Sequence, residues 1–231
     1  PGEGLSGARV EVTAAEEILS GDGTLIADAG MVIDTIETGA DGRAASENLY
    51  LGKYDVQEVQ SPDGYLLSDT KYRVNLEYED QTVPVIVETL EIENKPTKIK
   101  LIKADKESGA LLEDVTFKVW NKEVGEETAT EYTTNQEGLI EIERLVPGTY
   151  CIQEKQTLPG YVLDTSIYEI MISEDGRIDG KETCVLKLTN LATVIIGTKA
   201  RDEIGKVRKE MAQIDDVTLK NLQIGQSYLL K

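Results

Sequence analysis

The chain has 231 residues, with 24 lysines and arginines against 43 aspartates and glutamates, a net charge of −19. A surface this acidic repels phosphate backbones and anionic lipid, which argues against nucleic acid and membrane as partners. Histidine is absent and cysteine occurs twice, so histidine-based acid/base chemistry, Ser-His and Cys-His nucleophile pairs, histidine-ligated metals and four-thiolate zinc sites are excluded, and neither cofactor nor metal is expected.

The remaining composition is that of packed domains. Hydrophobic residues make up 40% of the chain, enough for ordinary cores, so the charge does not signal disorder. No run approaches the roughly 18–20 apolar residues of a membrane span. The opening PGEGLSGARV has no basic stretch followed by an apolar one, so no signal peptide is read there. The chain reads as cut from a longer one at both ends. It starts inside a domain and ends, over Gln226 to Lys231, inside a strand.

In chain order, LSGARVEV at 5–12 reads as a strand, and AAEEILSGDGTLIADAG follows it. LYLGKYDVQEVQSPDGYLL at 49–67 then returns as LVPGTYCIQEKQTLPGYVL at 145–163. Gly42 and Gly138, Tyr54 and Tyr150, Glu58 and Glu154, Gly64 and Gly160, and Asn94 and Asn190 are each 96 residues apart, which defines a repeating unit of single-domain size. LSGARVEV matches LEDVTFKV at 112–119 at an offset of 107, so the first copy carries an 11-residue insertion within about 14–40. KPTK at 95–98 reads as a short linker that restricts interdomain motion.

The second copy opens with KIKLIKAD at 98–105; the first copy's equivalent would lie before residue 1. VTFKVW, TYCIQE, SIYEIMI and CVLKLTN alternate and are rich in Val, Ile, Thr and Tyr, while DGR, QEG, LPG and EDG punctuate them as turns. Short strands at this spacing indicate an all-β chain of tandem antiparallel β-sandwiches. The division is 1–96 for a unit lacking its first, lysine-bearing strand, 97–192 for a complete unit, and 193–231 for the start of a third, truncated β unit. Residues 202–212 fit a helix, with Ile204, Val207 and Met211 on one side, and fit a charged surface loop equally.

Strand alternation groups Ile99 and Leu101 with Lys103, Tyr150 and Ile152 with Glu154, and Leu186 and Leu188 with Asn190. If those apolar faces form the core, an amine, a carboxyl and a carboxamide are buried together. Burial favours their neutral forms, and a neutral amine is a nucleophile while a neutral acid can polarise the carboxamide and relay protons. The product would be a Lys–Asn isopeptide bond with release of ammonia, formed once per chain and aided by effective molarities of roughly 10⁵–10⁸ M. The alternative is that all three are strand-end residues in water, with Lys103 and Glu154 forming a surface ion pair of little energetic consequence.

The paired Gly-x-Tyr-x-x-x-Glu segments ending in Gly-Tyr, the opening Lys103-Ala104-Asp105 followed by GALLEDVTF, and the closing Asn before NKP or NLA resemble Cna B-type (SpaA-like, prealbumin-like) domains of Gram-positive surface proteins and pilins. The resemblance covers 1–192. It implies Ig-like or prealbumin-like sandwiches with an intramolecular isopeptide bond, Lys103 as nucleophile, Asn190 as electrophile and Glu154 as the catalytic acid. In the first copy it implies Glu58 as acid and Asn94 as acceptor, with the lysine absent. Simple truncation accounts for that absence, and a strand supplied upstream or in trans would restore the site. Residues 193–231 bear a shorter resemblance to the opening of a VaFE-type repeat, with Lys199 as an ordinary surface lysine or that unit's amine.

The remaining features take plainer readings. Cys184 shares parity with the core and Cys151 does not, so two free thiols are expected rather than a disulfide. Trp120 is expected at the surface or a domain junction. The acidic turns 105–108 and 174–176 read as solvated loops rather than calcium sites.

These readings favour a stalk or spacer of an extracellular, cell-wall-anchored protein, with adjacent domains of the same protein as partners. A pilus backbone subunit is a narrower form that would need a sorting signal and a polymerising lysine motif. The alternative is an adhesin module engaging a host matrix protein or glycan through the insertion. A turnover enzyme such as a glycosidase is disfavoured by aromatic residues at 5% and a single Trp, too few for a sugar cleft.

Overall fold

The computed structural model describes residues 3–46, 49–78, 86–193, 195–202 and 213–220. Its strands in chain order are β1 (Arg9–Ala14), β2 (Ile18–Leu19), β3 (Leu25–Ala27), β4 (Val32–Glu37), β5 (Gly52–Gln60), β6 (Lys71–Leu76), β7 (Lys98–Asp105), β8 (Thr116–Asn121), β9 (Thr130–Thr133), β10 (Leu139–Glu143), β11 (Gly148–Gln156), β12 (Ile167–Ile172), β13 (Thr183–Asn190), β14 (Ile195–Asp202) and β15 (Gln213–Lys220). A single turn of 3₁₀ helix, Glu126–Thr128, is the one helix among the described residues. The chain is all-β, as the alternation of its sequence requires.

The second copy is a sandwich of two sheets. One has the order β12-β11-β8-β9, all antiparallel; the other is β10-β7-β13, with β7 antiparallel to β10 and parallel to β13. Strand β7 shows why. Ile99, Leu101, Lys103 and Asp105 point inward and are buried. Lys98 and Lys100 point outward and meet Glu143 (2.6 Å) and Glu141 (2.8 Å) across the ladder. The core joins Ile99, Leu101, Phe117, Val119, Ile140, Ile152, Ile170 and Leu188 from both sheets. Burying each such side chain stabilises the fold by about 1.5–3 kcal/mol before entropy is counted.

The first copy repeats one of these sheets. Its order β4-β1-β5-β6 matches β9-β8-β11-β12 strand for strand. The segments 96 residues before β10 and β13 are 43–47 and 87–94. The described part of this pair, 43–46 and 87–94, lies in no strand. In the second copy both β10 and β13 are held by β7 alone. Without a strand in that central place, their counterparts have no ladder to join.

The insertion is built into the first copy. It forms the hairpin β2–β3, whose Ile18 and Ala27 are buried with Val10, Val12, Tyr54 and Val56. Leu19, Leu25 and Ile26 of the hairpin are exposed, as are Met31 and Val32 after it.

The two copies meet through short backbone contacts. Thr97 N–H donates to Gly64 O (2.9 Å), Leu66 N–H to Lys95 O (2.8 Å) and Leu67 N–H to Asp175 O (3.0 Å), while Arg177 binds Asp69 at 2.6 Å. Gly64 has φ +81°, and a Cβ there would lie 2.7 Å from the carbonyl oxygen of Arg144, so only glycine fits. The restricted linker read in KPTK has this physical basis. Two of these bonds recur 96 residues on: Val162 N–H donates to Leu191 O and Thr193 N–H to Gly160 O.

Two expectations need correction. Trp120 is buried rather than at the surface or a junction, although it lies on the outer face of its sheet. It stands opposite Cys151 in the ladder, under the Lys118 ammonium at 5.8 Å. Asp105 is not a solvated turn residue. It points inward, and its Oδ1 accepts from the amides of Glu107 and Ser108 and from the Ser108 hydroxyl. Both thiols are free; Cys151 is buried on the outer face and Cys184 packs half-buried against the core. The candidate helix falls largely on 203–212 and the terminal strand on 226–231, both outside the described residues. β14 and β15 pair antiparallel, with Lys199 opposite Asp216.

Candidate functional site

The structure brings Lys103, Glu154 and Asn190 together in the interior of the second copy. Each continues an apolar face of its strand: β7 for the lysine, β11 for the glutamate and β13 for the asparagine. Lys103 is 0% exposed and Asn190 1%. Lys103 Nζ lies 3.4 Å from Glu154 Oε2, and Asn190 Nδ2 donates to Glu154 Oε1 at 2.7 Å. The carboxylate therefore bridges the amine and the carboxamide, one oxygen to each. The reading of these residues as strand-end groups in water does not hold.

The electrostatics follow from burial. Desolvation drives the Lys103 amine below its ordinary value, opposed by the charge and hydrogen bond of Glu154 and by Asp164 further off. Phe117 lies beneath the amine, with its ring centre 5.4 Å away. No other carboxylate pairs with Lys103 among the described residues. A lysine in this setting holds its proton weakly, the condition for a nucleophilic amine.

Two further groups complete the site, and the alternation of the sequence did not single them out. Thr157 Oγ1 lies 2.6 Å from Asn190 Nδ2, and the Asp164 amide donates to Glu154 Oε2 at 2.9 Å. Asn190 Oδ1 is buried and has no hydrogen-bond partner. Turning the carboxamide over exchanges Oδ1 and Nδ2. It would then offer the oxygen to the Thr157 hydroxyl, a donor that polarises the carbonyl carbon. A signal for both groups does exist in the repeat. Position 157 pairs with Ser61, and position 164 pairs with Ser68, whose amide binds Glu58 as that of Asp164 binds Glu154.

The first copy holds the matching acid and carboxamide. Glu58 is 2% exposed; Asn94 Nδ2 donates to Glu58 Oε2 at 2.7 Å and Oε1 at 3.0 Å, and also to Leu66 O at 3.0 Å. The Ser68 amide donates to Glu58 Oε2 at 2.7 Å. Desolvation raises the Glu58 carboxyl above its ordinary range against these hydrogen bonds. No cation pairs with Glu58 among the described residues, in contrast to Glu154. Described residues also offer no group of three side chains suited to a metal.

Comparison with known proteins places this architecture. A family model described as the SpaA prealbumin-like fold domain matches residues 1–90 and again 97–183. The chain belongs to that family. Pilins of Gram-positive surfaces are among the solved structures that resemble it. No curated protein matches. The Bacillus anthracis TIE protein is 20% identical, over 94% of this chain and 41% of its own, with a TM-score of 0.43. A streptococcal ancillary pilin is 24% identical over 81% of this chain and 58% of its own, with a TM-score of 0.34. The C-terminal fragment of the pilus adhesin SpaC from Lactobacillus rhamnosus GG is 17% identical over 82% and 90%, with a TM-score of 0.40. The chain thus spans about two fifths of the Bacillus protein and under two thirds of the ancillary pilin.

Proposed function

We propose that these SpaA modules form a stalk or spacer of a Gram-positive cell-surface protein, and that the module at 97–192 crosslinks itself through an isopeptide bond. The division into units at 1–96, 97–192 and 193–231 belongs to this proposal. The observation that carries it is the dehydrated row Lys103–Glu154–Asn190. The neutral Lys103 amine attacks Asn190 Cγ. Glu154 takes a proton from the amine and delivers it to the departing Nδ2. A C–N bond forms, a C–N bond breaks and ammonia leaves, with no redox change and no turnover.

The bond's position gives it a mechanical role. β7 and β13 are the first and last strands of the module and lie parallel, side by side. A pull on the two ends would pass from 97 to Lys103, across the bond to Asn190 and out to 191. The sheets would be bypassed. Two free thiols in this fold provide no such crosslink. An extracellular, wall-anchored position and partnership with adjacent domains of the same protein follow from this role. The test is intact mass: the folded chain should weigh one ammonia less than its sequence, and Glu154→Ala or Asn190→Ala should restore the full mass. A full unmodified mass in a folded sample would falsify the bond.

A second reading, an adhesin module, is favoured by one observation. The insertion and the first residue of β4 expose five large apolar side chains, Leu19, Leu25, Ile26, Met31 and Val32, apolar surface that a host protein or glycan could cover. Replacing Leu25, Ile26 and Met31 with serine should abolish adhesion to matrix components if this reading holds. Unchanged adhesion would leave the stalk alone.

A further inference from the structure

The second module holds a further carboxylate beside its amine that the crosslinking step does not use. Asp164 lies in the segment joining β11 to β12. Its amide donates to Glu154 Oε2 at 2.9 Å, the same oxygen that lies 3.4 Å from Lys103 Nζ. Its side chain is held in place from two sides: Oδ1 accepts from the Ser166 amide at 3.0 Å and Oδ2 from the Tyr168 hydroxyl at 2.7 Å. The first copy separates the roles of backbone and side chain at this position. Ser68 stands there in place of Asp164, and its amide still donates to Glu58 Oε2 at 2.7 Å. Aiming the acid therefore needs a backbone N–H and no carboxylate, so the Asp164 carboxylate has some other effect.

That effect is electrostatic and falls on Lys103. The amine meets Glu154 from β11, the Phe117 ring from β8, and the charge of Asp164, behind which stands Tyr168 from β12. Asp105 follows on the same face of β7, but its carboxylate is engaged by the amides of Glu107 and Ser108 and by the Tyr161 hydroxyl. Burial works against a charge on Asp164, yet the hydrogen bonds from Tyr168 and Ser166 and the nearby Lys103 charge hold its carboxyl below the ordinary aspartate value. Asp164 is therefore ionised throughout the neutral range. No lysine or arginine forms a direct ion pair with it among the described residues. Its charge is free to act on the amine. Burial drives Lys103 toward its neutral form, and Glu154 and then Asp164 oppose that drive.

We propose that Asp164 is a positioning residue that makes crosslinking pH-dependent: its amide aims Glu154, and its carboxylate, held by Tyr168 and Ser166, keeps the proton on Lys103 until the solution is less acidic. This rests on the crosslinking reading of Lys103, Glu154 and Asn190. The bonds made and broken are those of that reading. Lys103 Nζ bonds to Asn190 Cγ, Glu154 carries the proton from Nζ to Nδ2, and ammonia leaves. Asp164 neither gains nor loses a proton. Between attack and proton transfer Nζ carries a positive charge, and the Asp164 charge stabilises it. The same charge thus slows the reaction in acid, where the amine is protonated, and assists it once the amine is neutral.

The test is the pH profile of ammonia loss. The 231-residue chain, recovered in urea at its full mass, is diluted into native buffers from pH 4 to 10. Trp120 fluorescence reports that the second module has folded, and intact mass follows the loss of one ammonia with time. The wild-type rate should climb with pH and then level off. Asp164→Asn should move the climb to lower pH by about one unit, which is about tenfold faster crosslinking on the rising limb. Asp164→Ser, which installs the residue of the first copy, should do the same and serves as the second variant if the first folds poorly. A climb that stays at the wild-type pH in folded variants, or moves to higher pH, overturns the inference and leaves the bond standing. A change in the top rate alone, with the climb unmoved, also overturns it, because a side chain that only shapes the turn would act in that way. A second reading does not need the bond. In the Asn190→Ala chain, which cannot crosslink, the titration of Lys103 is followed by NMR at its ¹³Cε, and adding Asp164→Asn should lower the midpoint by about one unit. An unchanged midpoint overturns the inference. A wild-type chain that keeps its full mass at every pH overturns the bond reading instead, and the titration still decides whether Asp164 governs the amine.

Discussion

Replacing Asn190 by alanine removes the electrophile and leaves Lys103 and Glu154 facing each other. The bond it would abolish closes a loop of about 88 residues, which by the chain-entropy account of crosslinks stabilises the fold by about 4–5 kcal/mol. A module of this size unfolds with an entropy of about 0.2 kcal/mol per kelvin, so the midpoint should fall by about 20 °C. The assay is built into the chain. Its one tryptophan, Trp120, is buried in the second module, so its fluorescence reports that module alone. Lys103→Met should lower the midpoint by a similar amount, though less, because it also removes a buried amine that desolvation penalises. Glu154→Ala should resemble Asn190→Ala. If Asn190→Ala melts within about 5 °C of wild type, no crosslink of this loop length is present and the reasoning fails.

Further expectations follow from the same geometry. In the uncrosslinked Asn190→Ala chain, Lys103 titrates below its unfolded value near 10.5, so the unfolded state binds more protons. Stability should therefore rise with pH up to that value, and the rise should vanish when Lys103→Met is added, as denaturant titrations from pH 7 to 10 would show. Glu58 titrates above its unfolded value near 4.5, so its burial should stabilise the first module in acid and progressively destabilise it as pH rises through the folded value. Glu58→Gln should flatten that trend, read as the difference in midpoint between the two chains from pH 4 to 7. Thr157→Val should slow bond formation without preventing folding, measured as ammonia loss over time after refolding, because it removes the hydroxyl beside the Asn190 carboxamide. Gly64→Val should loosen the joint between modules by forcing a side chain onto the Arg144 backbone, and X-ray scattering should then register a broader distribution of lengths.

Strand parity carried most of the site. Lys98 and Lys100 sit on one side of β7 and Lys103 on the other, and that difference of one residue separates two surface ion pairs from a buried amine. The 96-residue repeat likewise located both acids and both carboxamides. Parity failed where it was asked about exposure. It assigns a face, and Trp120 and Cys151 do lie on the outer face, but neighbouring side chains cover them there. Thr157 was missed because it follows the end of β11, where alternation no longer applies. The insertion was legible as extra length, yet nothing in its spacing announced that Ile18 and Ala27 would enter the core.

The measurement closest to the central claim is a high-resolution crystal structure of the second module. The account predicts continuous density joining Lys103 Nζ to Asn190 Cγ, with Glu154 against the new amide. Separate density for a free lysine amine and an intact carboxamide in the folded, aged protein would contradict it.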